Sequence, residues 1–147
     1  MDMDIRISLA TAADAKHIAH LLDVFRQERG YTGQTTVPLP VNQKGPQYVL
    51  LAEVEDQPVS VASMQRCHNL VSGTTFLLLT DIYVLEGFRR HGVATAMLSE
   101  GIALGRRIGC SNFEMIAGQT DKAILSTAAR IGFVKHPDLL LDLNLDA

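Results

Sequence analysis

Hydrophobic and polar positions alternate along this chain in two rhythms, one of period two and one of about three and a half. Ile5, Ile7 and Leu9 alternate with Arg6 and Ser8, which predicts a first strand with one buried face. Thr11-Ala12-Ala13-Asp14 has the spacing of a capping box with Asp in place of Glu, and Ile18, Leu21, Leu22 and Phe25 then set an apolar stripe at helical spacing up to Gly30. Between Tyr31 and Pro46 the residues Gly33, Pro38, Pro40, Gly45 and Pro46 break any regular element and predict a long loop. Tyr48 to Val54 and Pro58 to Met64 read as strands joined through Glu55-Asp56-Gln57, and Asn69 to Gly73 supplies a further turn. Phe76 to Leu79, Ile82 and Val84 form a nearly continuous apolar run, as in a central strand covered on both faces. A helix follows: with residues roughly 100° apart, Val93, Met97, Leu98, Leu104 and Ile108 share one half-turn, while Ser99, Glu100, Arg106 and Arg107 occupy the other. Phe113, Met115 and Ala117 alternate again, predicting a fifth strand parallel to the fourth across a strand–helix–strand unit. Thr120 or Asp121 caps a short helix ending near Ile131-Gly132, and Leu139 to Leu143 reads as a last strand.

Composition sets limits on this picture. The 147 residues are 47% hydrophobic, enough for one domain with a real core and with no linker to a second, so residues 1–147 are expected to form a single unit. A formal charge of −3 without a basic stripe speaks against nucleic acid as the main partner. No apolar run approaches the roughly 18 residues of a membrane span, and the Met1-Asp2-Met3-Asp4 start is acidic, so a cytoplasmic protein is expected. Cys67 and Cys110 lack CxxC spacing and read as free thiols in a reducing compartment, and His17 and His20 lack a third ligand, so no metal site is expected.

The candidate chemistry lies between the fourth strand and its helix, in Arg89-x-x-Gly92-x-Ala94. The first N–H groups of a helix have no intrahelical acceptor and sit at the positive end of its dipole, so they attract an anion. Gly92 and Ala94 remove the bulk that would keep a diphosphate away, and Arg89, Arg90 and His91 add charge at the rim. Small residues at a helix start also serve tight helix–sheet packing, so the composition alone leaves both readings open. The spacing from Gly87 to Ala94 is not the Gly-x-Gly-x-x-Gly of a dinucleotide-binding turn.

The run from Leu79 to Leu98, with Arg89-x-x-Gly92-x-Ala94 at its centre and Ile131-Gly132-Phe133 after it, resembles the acyl-CoA-binding segment of the GNAT superfamily of N-acetyltransferases. The resemblance covers the whole order of elements. It implies an α/β fold with a mixed, mostly antiparallel sheet of six or seven strands and helices on both faces. It further implies that acetyl-CoA is the acyl donor, with its pyrophosphate on N–H groups of Arg89, Arg90, His91, Gly92, Val93, Ala94 and Thr95 and its pantetheine arm along the backbone of Ile82, Tyr83 and Val84. In the second family motif an Asn opens the segment and a Tyr stands four residues before the Gly of Gly-Phe as the acid for the departing thiolate. Here those positions hold Asp121, which by the resemblance is expected at the cofactor, and Ala128, and alanine donates no proton.

The acceptor implied is a primary amine of a small molecule or peptide, attacking directly. The loop after the first helix shapes the acceptor pocket in this family, which nominates Tyr31, Thr32 and Gln34. Asp81 and Tyr83 alternate onto one face of the fourth strand and Glu53 ends the second, so Asp81 and then Glu53 are the candidate bases and Tyr83 the candidate acid. Because of Ala128, a CoA-binding sensor or assembly module without turnover stands as the alternative to an acetyltransferase. The resemblance also admits a homodimer.

Overall fold

The computed structural model describes residues 3–32 and 43–146. In chain order the elements are β1 (Ile5–Leu9), a 3₁₀ turn (Ala12–Asp14) leading into α1 (Ala15–Glu28), β2 (Gln47–Val54), β3 (Gln57–Asn69), β4 (Thr74–Val84), α2 (Val93–Arg107), β5 (Asn112–Met115) and α3 (Lys122–Ile131). The strands lie in the order β1-β2-β3-β4-β5. The first four pair antiparallel, and β5 alone runs parallel to β4, as a crossover through α2 requires.

The alternation of each strand decides which helix it meets. Leu50, Ala52, Ala62, Met64, Leu77 and Leu79 point to one face, where Val93, Met97, Leu98 and Leu104 of α2 cover them. Val49, Leu51, Val61 and Tyr83 point to the other, against Ile18 and Leu21 of α1. The sheet is thus buried on both sides, which accounts for the uninterrupted apolar runs. α2 lies close because Gly101 faces the sheet: a Cβ there would stand 3.1 Å from both Met64 Sδ and the Phe113 ring. Gly101→Leu should therefore overpack this face and cost about 1–3 kcal/mol of stability, read as a fall in the denaturant midpoint.

Two expectations need correction. The sheet among the described residues has five strands, not six or seven. The missing strand is Leu139–Leu143, which is irregular, with Leu139 81% exposed and Leu141 87% exposed. Alternating leucines state what pairing would bury, not that a pairing edge is available. β3 is also longer than its apolar part: Gln65 to Asn69 are polar, yet they pair with Leu78 to Thr74 of β4, where the ladder rather than burial fixes the strand.

Candidate active site

A bulge in β4 organises the site. Ser63 pairs with Asp81 and Met64 with Leu79, so Thr80 is an extra residue opposite β3. Its hydroxyl donates to the Ser63 carbonyl at 3.1 Å, which holds the bulge. Strict alternation would put Leu77, Leu79, Asp81 and Tyr83 on one face. The inserted residue instead leaves Leu77 and Leu79 under α2 and turns Asp81 and Tyr83 toward α1. Ile82 and Val84 then point to the α2 side. The ladder between β4 and β5 stops at Leu79–Met115, while β4 runs on to Val84. The two strands therefore part where Thr80 to Val84 begin.

Beyond β4 the chain makes a 3₁₀ turn (Glu86–Phe88) and enters α2 through two left-handed residues, Arg90 at φ 64° and Gly92 at φ 84°. Left-handed residues interleaved in a turn aim successive N–H groups toward one side, a concavity suited to an anion. Gly92 is the N-cap, no side chain caps the helix, and the first intrahelical bond is Ala96 N–H to the Gly92 carbonyl. Val93, Ala94 and Thr95 thus present N–H groups without intrahelical acceptors. A Cβ built on Gly92 would meet nothing within 4 Å, so the space above this helix start is open. Arg90, His91 and Thr95 are exposed around it, and Val93 is buried beneath.

Arg89 does something the sequence did not suggest. Its Nε donates to the Val84 carbonyl at 2.9 Å, and its guanidinium donates to Glu28 Oε2 at 2.6 Å, with the cation 5.6 Å from the Tyr83 ring centroid. The expectation of an Arg89 side chain at the phosphate rim is corrected accordingly: it turns back to tie the loop to the end of α1. Tyr83 completes the tie, its hydroxyl donating to Glu28 Oε1 at 2.9 Å and its ring 4.6 Å from Phe25. Arg89, then Tyr83, lowers the Glu28 carboxyl below its ordinary value. Burial, then the bond to Glu28, pushes the Tyr83 phenol up to about 12. The neutral phenol is the bonded form, so its contribution is in place below the ordinary value of 10.0 and is lost as the pH rises through about 12. A phenol held this way is a poor acid at neutral pH, which argues against Tyr83 as the proton donor.

Glu28 was missed by sequence reasoning, although a signal existed: Leu21, Phe25 and Glu28 follow i, i+4, i+7, so a carboxylate extends the buried stripe. Glu28→Gln should bring the phenol's ionisation to lower pH in an ultraviolet titration. Its effect on the affinity for acetyl-CoA should be no more than about fivefold, the ceiling for an exposed ion pair.

Between α1 and the sheet lies a cavity of about 170 Å³ walled by Ile18, Leu22, Phe25, Val49 and Val61, with Gln47, Ser63, Asp81 and Tyr83 as its polar members. Gln47 Nε2 donates to Ser63 Oγ at 3.0 Å. Asp81 is exposed at the rim and takes part in no ion pair or side-chain hydrogen bond among the described residues.

A model of the acetyltransferase (GNAT) family matches residues 16–133. The chain belongs to the GNAT acetyltransferase family. No curated protein matches the sequence. Solved GNAT structures match the fold closely at low identity. An aminoglycoside acetyltransferase from an uncultured soil metagenomic sample, in complex with sisomicin, superposes with TM-score 0.82 at 16% identity, covering 96% of both chains. A ribosomal-protein-alanine N-acetyltransferase from Brucella melitensis biovar Abortus 2308 gives 0.75 at 18% identity over 95% of this chain and 99% of that one. An aminoglycoside N-acetyltransferase in complex with CoA gives 0.76 at 15% identity over 99% and 97%.

The remaining candidates of this GNAT chain fall on both sides of the site. Glu53 is not at the cavity: it pairs with Arg6 at 3.1 Å, beside the β2–β3 turn, which removes it as a base near Asp81. Tyr31 is 62% exposed with the Arg26 guanidinium over its ring, and the Thr32 carbonyl accepts from Arg26, so neither lines the described cavity. Gln34 lies outside the described residues. Asp121, expected at the cofactor, is the N-cap of α3 and accepts from the Ile124 N–H at 3.3 Å. Ala128 is buried in α3, and its carbonyl accepts from Gly132 and Phe133, which seats Phe133 edge-on to Phe113.

Proposed function

We propose that this GNAT chain is an acetyl-CoA-dependent N-acetyltransferase acting on a primary amine. The observation that carries the reading is the placement of Asp81. It stands where β4 parts from β5, on the face opposite α2, with the open N–H concavity of Gly92 to Thr95 further along the same strand–helix unit. Those N–H groups suit the pyrophosphate of CoA, and the free β4 edge at Ile82 to Val84 suits its amide-bearing arm. Space above Gly92 and the absence of a side-chain cap support the fit. When bound, acetyl-CoA supplies a thioester carbonyl as the acyl donor.

The chain's own residues then handle the proton. Asp81 accepts it from the acceptor ammonium, directly or through water, leaving the nitrogen lone pair free to form the new C–N bond as the C–S bond breaks. The thiolate leaves without an acid from α3, because Ala128 offers none, and the Tyr83 hydroxyl is committed to Glu28. The nitrogen sheds its second proton as the amide forms, and water relays that proton to the departing thiolate. Neither Cys67 nor Cys110 lines the cavity, and burial raises the Cys110 thiol, which supports direct attack over a covalent enzyme intermediate.

Ala128 favours a second reading, a CoA-binding module without turnover. Incubating the chain with acetyl-CoA and a panel of small amines, peptides and protein N-termini, and following release of the CoA thiol, separates the two. Thiol release with matching acetylated product supports the enzyme. Binding of acetyl-CoA with no release across the panel supports the module.

A further inference from the structure

We propose that the acceptor carries a single primary amine attached to a compact apolar body of about the size of a phenyl ring, rather than being a polycationic aminosugar. This rests on the acetyltransferase reading for turnover, but its argument comes from the cavity. Ile18, Leu22, Phe25, Val49 and Val61 make an apolar chamber of about 170 Å³. An apolar cavity of about 150 Å³ is known to take benzene, so the chamber suits one ring or a branched alkyl group. One carboxylate faces it, that of Asp81, and it is unpaired among the described residues.

Charge elsewhere around the chamber is wrong for a polycation. Glu28, at the end of α1, is already held by Arg89 and Tyr83. Arg29 lies 4.7 Å from the centroid of Phe25, a wall residue. A ligand with several ammonium groups would bury most of them against aliphatic walls and the Phe25 ring, whereas one ammonium at the rim finds its partner in Asp81. The apolar body can be a free amine's side group or the first side chain of a peptide. Both present the same chemistry.

The test uses the full chain with three probes: phenethylamine, a tripeptide amide beginning with phenylalanine, and sisomicin. Binding of each is followed by titration calorimetry, and acetylation by thiol release with acetyl-CoA. Phenethylamine or the tripeptide should bind, and Asp81→Asn should weaken that binding at least tenfold. Leu22→Trp, which fills the chamber from the partly exposed face of α1, should abolish amine binding while acetyl-CoA binding persists. Which probe has the higher kcat/KM distinguishes a free amine from a peptide N-terminus, and sisomicin should lie at least a hundredfold below it. Sisomicin acetylated as well as the monoamines would overturn the acceptor class while upholding the acetyltransferase. Monoamine binding that depends on Asp81 and Leu22 without thiol release would uphold the class and overturn turnover. A folded chain that binds acetyl-CoA but neither monoamine would overturn the class.

Discussion

Gly92→Glu should raise the Kd for acetyl-CoA by at least about a hundredfold, or ~2.7 kcal/mol, while circular dichroism and the melting transition remain those of a folded protein. The expectation follows from two facts about one residue. Gly92 has φ 84°, where a side chain strains the backbone by about 1–2 kcal/mol, so some stability is lost whatever is substituted. Nothing of the protein lies within 4 Å of its Cβ direction, so that strain is the main structural cost. The space a glutamate would enter is the space a diphosphate needs, and its charge opposes the same N–H groups' guest. Gly92→Ala separates the terms: it carries the strain without the charge or length, so it should lose stability similarly and retain much more affinity. Equal affinity in a folded Gly92→Glu chain would place the diphosphate elsewhere.

The same residue shows what could be read in advance. A small residue at the end of a strand and the start of an apolar helical stripe is visible in one dimension, and so is the helix start whose first N–H groups lack intrahelical acceptors. The sheet's two-sided burial was likewise legible from the runs in β2 and β4, because both helices leave their stripes in the sequence. What escaped reading depends on register or on pairs far apart. The Thr80 bulge exists only relative to β3, since it is defined by Ser63 facing Asp81 and Met64 facing Leu79. Glu28 and Arg89 are separated by 61 positions, and each alone looks like a solvated charge. Glu53 and Asp81 both interrupt apolar runs, yet only the second faces the cavity, while Arg6 on the neighbouring strand pairs with the first. The leucines of the C-terminal stretch mislead for the converse reason, having the pattern of a strand without a partner among the described residues.

Asp81→Asn should lower kcat/KM about 10²- to 10⁴-fold on an acceptor found by thiol release, the range for loss of a positioned proton acceptor, while leaving the Kd of acetyl-CoA within about twofold. The separation follows from topology: Asp81 faces the α1 cavity, whereas the N–H groups proposed for the diphosphate are at the start of α2 on the other side of the strand. The size of the defect should depend on the acceptor. Holding a lysine-like amine of pKa about 10.4 neutral at pH 7 costs roughly 4.6 kcal/mol, against about 1 for an α-amino group near 7.7. A site with one exposed carboxylate and no acid from α3 is matched to the smaller demand, so an α-amine should be the better acceptor in the wild-type chain. It should also be the one whose rate recovers as the pH is raised in Asp81→Asn, because solvent removes the proton that the substituted amide cannot take. With an α-amine the defect should shrink several-fold between about pH 7 and 9, where the amine passes its own pKa. A defect of constant size across that range would mean that Asp81 orients the acceptor or supports β4 without receiving its proton. No defect at all would leave water and the acceptor's own acidity as the whole of the proton chemistry.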